Sequence, residues 1–238
     1  MPVLALDTSS SVAVALLDPD GRVLAARSVP EQRHHAELLA PMIDAVLTEA
    51  GVERTQVTAV VAGTGPAPYT GLRVGLVTAR TLALALGVPA HGVSSLDALA
   101  TEAAARGDLG VGDHVLVATD ARRREVYWAR YRVVAPNPGR DAVPFVEVVA
   151  GPSVGSAASV AAEHLRAGDV VVGRGALLYA AELPAAPDAP LDPDPAVLAR
   201  VALHRLAAAP AGTVLPAEPL YLRRPDAVPP AQRKRALT

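Results

Sequence analysis

The sequence contains no cysteine among its 238 residues. Disulfides, thiolate nucleophiles and cysteine zinc sites are therefore excluded together, and the composition fits a cytosolic chain. Aromatic residues make up only 3%, so packing must come from many small Ala and Val contacts rather than from a few large rings. Long apolar runs are also missing: none approaches the ~18 residues that a membrane span needs. The start MPVLALDTSS has no basic segment followed by a long apolar one, so the expectation is a cytoplasmic chain with no membrane insertion. Charged residues are 19% and the formal net charge is −2, without the basic excess by which a protein grips nucleic acid through phosphates alone. An RNA-linked role would need a partner. A paired histidine motif is missing as well, because the positions four residues after His34 and His35 are Leu38 and Leu39. No Ser, His and Asp constellation can be assembled from spacing, so catalysis has no evident owner.

What is present is 51% hydrophobic residues, enough to bury about 70% of the unfolded surface in one large or two modest domains. Apolar runs at 3–6 and 12–17 and a third strand over 22–28, separated by polar turns, predict an antiparallel meander. The spacing of Leu38, Leu39, Met42, Ile43, Val46 and Leu47 predicts a helix over 35–50, with Pro41 inside it and Gly51 as its stop. A strand over 57–62 and a glycine turn lead to a second helix over 70–86, with Thr70 as its N-cap. That helix is apolar on two sides, one carrying Leu72, Leu76, Ala79, Ala83 and Leu86, the other Val74, Val77 and Leu84. Such a helix needs two partners, its own sheet and either another lobe or another chain. Helices over 95–105, 156–165 and 196–208 and strands over 115–119, 125–134 and 170–172 follow, with loops over 136–144 and 184–195 and a tail along the surface. The order strand, Asp turn, strand occurs at Asp7 and again at Asp120, which points to a duplicated fold.

Four segments could carry chemistry. Asp7, Thr8 and Ser9 open a hydroxyl-rich turn that reads either as a nucleotide or anion contact or as a polar hairpin tip. Gly63 to Gly75 is a tight glycine turn entering a helix, an arrangement that attracts anions. It lacks the Lys-Ser ending of a Walker loop, and Gly71 and Gly75 equally serve close packing. Asp120-Ala121-Arg122-Arg123-Arg124 stands where a duplicated nucleotide fold would present its second phosphate turn, with arginines where glycines would let backbone approach phosphate. Gly173-Arg174-Gly175 reads as a nucleoside approach or as a left-handed turn.

The runs LALDTSSSVAVALL, HHAELLAPMIDAVL, PYTGLRVGLVTARTLALAL, DARRREVYWARY and EPLYLRRPDA together resemble the TsaB (YeaZ) family over nearly the whole chain. Tyr69 to Arg73 is the most specific part. The family usually shows Gly-Pro-Gly-Ser before the aromatic, where this sequence has Gly65-Pro66-Ala67-Pro68, a stiffer turn. The resemblance implies an α/β, two-lobed actin/Hsp70-like (ASKHA) fold of duplicated RNase H-like units. Residues 1–106 would form the first lobe, 107–212 a degenerate second lobe, and 213–238 a tail packed back on the surface. It further implies a non-catalytic subunit supporting TsaD, as a heterodimer and together with TsaE, in forming N6-threonylcarbamoyladenosine at position 37 of tRNAs that read ANN codons. On that reading the chain has no cofactor of its own and no metal, ATP and Mg act at the level of the complex, tRNA is met through the complex, and a homodimer forms when the chain is alone. Leu38, Met42, Leu72, Arg73 and Leu76 would form the partner contact. An ATP-dependent small-molecule kinase of the same superfamily, using Asp7 and the Asp120 turn, is the enzyme alternative.

Overall fold

The computed structural model describes residues 2–30, 34–107, 109–134 and 145–223. Strands β1 (Val3–Asp7) and β2 (Val12–Leu17) are buried at every position, as their unbroken apolar runs require of strands covered on both faces. They pair antiparallel, β3 (Val23–Val29) extends the meander on the exposed edge, and β4 (Ala59–Gly63) and β5 (Ala90–Val93) add parallel strands on the other side. The sheet order is β3-β2-β1-β4-β5. Helices α1 (His35–Ala50) and α2 (Tyr69–Leu86) cover one face, where Leu4, Leu6, Val14 and Leu16 meet Leu39, Ile43, Val46, Leu72, Leu76 and Ala79. Both helices end on a glycine with positive φ, Gly51 and Gly87, the conformation that halts a helix most cheaply.

After α3 (Ser95–Arg106) comes a second sheet of β6 (His114–Asp120), β7 (Glu125–Val134), β8 (Phe145–Ser156) and β9 (Val170–Val172), flanked by α4 (Ala157–His164) and α5 (Arg174–Leu178). Its order is β8-β7-β6-β9, the order of the first sheet with one strand fewer. The senses match too, two antiparallel pairs and then one parallel strand. The chain is thus a duplicated RNase H-like unit, the two-lobed actin/Hsp70-like α/β architecture.

The lobe boundary separates the sheets but not the cores. α3, read as part of the first lobe, packs Leu96, Leu99, Ala100 and Ala103 onto Val115, Val117, Ala129 and Tyr131 of the second sheet. α6 (Pro195–Ala208), read as part of the second, packs Val197, Leu198 and Val201 onto Val3, Ala5, Ala15 and Leu17 of the first. The two helices touch each other between the sheets, and α3 is buried from Ser95 to Ala104. Asp97 ties the layers: it accepts from the Tyr131 hydroxyl at 2.8 Å and pairs with Arg205 of α6 at 2.5 Å.

Four elements differ from the sequence reading. β8 is an edge strand with Pro152 inside it, and an edge tolerates the missing donor that makes proline look like a loop signal. β5 and α5 have four and five residues, too few to show a period. α2 begins at Tyr69 with Pro68 at the cap position, so Thr70 is not the N-cap. The loop expected over 136–144 and the tail beyond 223 lie outside the described residues. Among the described residues no helix is long and apolar enough to cross a membrane.

Candidate functional site

The echo of Asp7 in Asp120 is structural. Each aspartate ends the first strand of its sheet, and each accepts, through Oδ1, the backbone N–H two residues on at 2.7 Å, from Ser9 and from Arg122. These are the same aspartate turn built twice. The two turns face a cleft of about 200 Å³, whose walls include Thr8, Ser9, Ser10 and the start of α2 on one side and Thr119, Asp120, Arg122 and Arg174 on the other.

In the first turn Asp7 is 1% exposed. Its Oδ1 also accepts from the Ser9 hydroxyl at 2.6 Å, and its Oδ2 from the Ser95 hydroxyl at 2.6 Å. Burial pushes its pKa up, and the hydrogen bonds from Ser9 and Ser95 pull against that. The glycine-rich segment serves this lock. A Cβ on Gly63 would lie 1.8 Å from Asp7 Oδ2, and one on Gly75 would lie 2.3 Å from Thr8 Oγ1. The Thr8 hydroxyl donates to Gly71 O at 2.8 Å. The Gly71 and Gly75 pair therefore admits the Thr8 turn against α2, so its packing partner is a turn of this chain. With both carboxylate oxygens engaged and shut away, Asp7 does not fit the part of a magnesium-nucleotide anchor.

The second turn is built differently. Arg122, Arg123 and Arg124 all have positive φ, at 61°, 56° and 63°, a run that costs about 1–2 kcal/mol per non-glycine residue. Arg122 folds back on Asp120 at 3.2 Å. Gly173 and Gly175 are accounted for by close packing, since a Cβ on either would fall 2.4 Å or 2.8 Å from Ala118 O. Arg174 grips Asp192 through Nε and Nη2, both at 2.6 Å. Neither turn offers the open glycine backbone that a nucleotide phosphate chain requires, and among the described residues no cluster of three or more His, Asp or Glu could hold a metal.

The candidate partner surface needs a correction. Met42, Leu72 and Leu76 are 7%, 1% and 3% exposed and belong to the core beneath α1 and α2; Leu38 is half-buried against that core. A side chain that holds the helix to its own sheet cannot also be a docking contact, and a charge at Leu76 would unfold the lobe before it tested association. Arg73 alone of the five is exposed. The open stripe of α2 runs instead through Tyr69, Arg73, Val77, Arg80 and Leu84, spaced as one helical face. Val77 and Leu84 lie on the second apolar side visible in the sequence, and Leu84 is 83% exposed. The C-terminal strap joins this stripe. Leu215 N donates to His91 Nδ1 and Leu220 N to Thr64 O, and Tyr221 stacks on Tyr69 at 5.4 Å with its hydroxyl taking the Arg73 Nε–H at 2.7 Å. Arg223 then reaches the other lobe, donating to Ala121 O and pairing with Glu125.

With this geometry in place, comparison with known proteins gives a consistent picture. Residues 27–163 match the family model described as TsaD, tRNA N6-adenosine threonylcarbamoyltransferase. An uncharacterised protein of Mycobacterium bovis is 41% identical over 95% of this chain and 94% of its own length, while a Mycobacterium leprae relative is matched over only 56% of its length. The tRNA threonylcarbamoyladenosine biosynthesis protein TsaB of Escherichia coli is 37% identical over 56% of this chain and 55% of its own. The solved structure of YeaZ from Pseudomonas aeruginosa superposes with a TM-score of 0.74 at 32% identity, over 93% of this chain and 99% of that one. By sequence over half its length and by fold over nearly all of it, the chain belongs to the TsaB (YeaZ) family.

Proposed function

We propose that this chain is an accessory, non-catalytic subunit in the formation of N6-threonylcarbamoyladenosine at position 37 of tRNAs that read ANN codons. It binds the catalytic subunit TsaD as a heterodimer, TsaE joins them, and ATP, Mg and tRNA act at the level of that assembly. The carrying observation is the stripe of α2: Tyr69, Val77 and Leu84 are each at least half exposed on a helix whose other side is already buried in its own lobe. An apolar face of this kind marks a protein contact. The names borne by the relatives supply the class of partner, and the locked Asp7 supports a role without phosphoryl transfer. When TsaD is absent, a second copy covers the same stripe.

Size-exclusion chromatography with light scattering of this chain mixed with TsaD from the same organism, followed by a modification assay with TsaE, ATP, threonylcarbamoyl-adenylate and tRNA, tests the reading. A defined complex whose activity depends on this chain is expected, and Leu84→Lys should abolish it while the variant stays folded. No complex and no dependence would reject the reading, and ATP-dependent phosphorylation of a sugar by the chain alone would replace it with the kinase alternative.

A further inference from the structure

We propose that the strap from Leu215 to Arg223 is a latch with two ends: Tyr221 fastens it to the open stripe of α2, Arg223 fastens it to the base of the turn that carries Arg122 to Arg124, and release of either end loosens the other. The partner that covers the stripe closes over Tyr221 and holds the latch shut, so that docking on the first lobe fixes a turn on the second. That last step rests on the proposed function; the latch itself rests on this chain alone.

The root of the strap is built into the first lobe. Leu215 O accepts from Gly92 N at 3.0 Å, and Leu220 N donates to Thr64 O at 2.9 Å. A Cβ on Gly92 would fall 2.3 Å from Pro216 O and 2.8 Å from the Ala217 Cα, so a glycine stands where the strap backbone lies on β5. The tip then divides. Arg73 lies 3.6 Å from the centroid of the Tyr69 ring and donates Nε–H to the Tyr221 hydroxyl at 2.7 Å, so one guanidinium holds two rings that stack on each other. Two residues on, Arg223 donates through Nη1 to Ala121 O at 3.1 Å and through Nη2 to Glu125. These are the residues that close the arginine turn: Ala121 N donates to Glu125 O at 3.0 Å, and Glu125 N to Arg122 O at 3.1 Å. One side chain thus bridges both closing residues of a loop with three consecutive left-handed arginines, and strained backbone persists only where its surroundings over-determine it.

Burial separates a latch from a fixed staple. No residue from Ala209 to Arg223 is buried, and none lies in a helix or strand; Leu215 and Ala217 rest against the core only partly covered. A segment held by hydrogen bonds and ring contacts at separate points opens at far lower cost than the lobes it joins. About 7 Å of chain links Tyr221 to Arg223, so a backbone shift that frees one strains the hold of the other. The stacked pair is also open to a partner, with Tyr221 43% and Tyr69 51% exposed. A protein that covers them excludes water from the Arg73 to Tyr221 hydrogen bond and strengthens it, and tyrosine and arginine are the side chains that most often anchor such contacts.

Hydrogen exchange read in ¹H–¹⁵N spectra of the intact chain tests the latch. Arg223→Ala, which frees the second-lobe end, should speed exchange of the Arg73 Nε–H and the Leu220 amide by at least about fivefold. Tyr221→Ala should speed the Ala121 and Glu125 amides by a similar factor, because coupling is reciprocal. Glu218→Gln, exposed on the same strap, should change neither set, and unchanged amides of the buried Val14 and Leu116 show that each variant is folded. Effects confined to the mutated end overturn the latch. TsaD is then added to the parent and to Tyr221→Ala. Slower exchange of Ala121 and Glu125 in the parent alone supports transmission, and a complex that leaves these amides unchanged overturns it. Absence of any complex counts against the proposed function and not against the latch, which the two variants decide on the chain alone.

Discussion

The two aspartate turns begin from one design and end as opposites. Asp7 is sealed by Ser9, Ser95 and the bare backbone of Gly63, so the first turn has become part of the core. Asp120 is only partly covered and leads into three exposed arginines, so the second has become surface. A duplicated fold can therefore keep its hydrogen-bond geometry in both copies while assigning stability to one and contact to the other. The most direct way to break the contrast is Gly63→Ala. The new methyl has no room beside a carboxylate that is itself fixed by Ser9 and Ser95, and the expected cost is at least about 3 kcal/mol, read as a large fall in urea midpoint or loss of soluble protein. Gly75→Ala should act similarly through Thr8, though less severely, since the threonine side chain can rotate. An unchanged midpoint for Gly63→Ala would mean that the first turn is not locked.

The helix joining the two halves yields the next test. Glu102 of α3 is 6% exposed, and burial raises its pKa to about 7 against the opposing pull of Arg106, with Asp194 and Asp192 adding to the rise. A carboxyl that holds its proton more tightly folded than unfolded contributes stability at low pH and loses it as pH climbs from about 4.5 to about 7. The full effect is about 3 kcal/mol. Glu102→Gln should therefore flatten that fall, leaving the variant as stable as the parent near pH 5 and more stable at pH 8, in denaturant titrations across the range. Asp7, also raised by burial, gives a drift of the same sign in both proteins, so the difference between them isolates Glu102. A parent whose advantage grows with pH would contradict the assignment.

The sequence exposed the fold more clearly than the site. Helix α1 lies where the spacing of Leu39, Met42, Ile43 and Val46 puts it, and the Asp7 and Asp120 echo pointed to the duplication, because periodicity and turn residues are local. The exchange of α3 and α6 between the lobes was invisible, since α3 is buried at polar as well as apolar positions and pattern alone cannot name the sheet that covers either helix. The same limit misdirected the partner surface. Leu72 and Leu76 share one apolar side of α2, Val77 and Leu84 the other, and only the packing of the first sheet decides which side is free. Thr119 escaped notice because nothing local marks a buried hydroxyl without a partner, and nothing local pairs the Arg174 of Gly173-Arg174-Gly175 with Asp192. Glycines 63, 71 and 75, in contrast, were legible as positions of close approach, though the sequence left open whether an anion, a partner or, as found, the Asp7–Thr8 turn comes close.

The smallest expected effect is also the cleanest check of the contrast between the turns. Arg124 is exposed and holds φ at 63°, a conformation that glycine adopts without the Cβ penalty. Arg124→Gly should leave the structure in place and stabilise it, by up to about 1 kcal/mol once the extra freedom of glycine in the unfolded chain is set against the strain relieved. Its counterpart Ser9→Gly in the first turn should instead destabilise, because the Ser9 hydroxyl satisfies a buried carboxylate. Opposite signs for the two glycines, measured in the same denaturation series, would show that one turn has kept strain for its surface and the other has given it up for its core; equal signs would mean that the two copies have not diverged in the way their geometry implies.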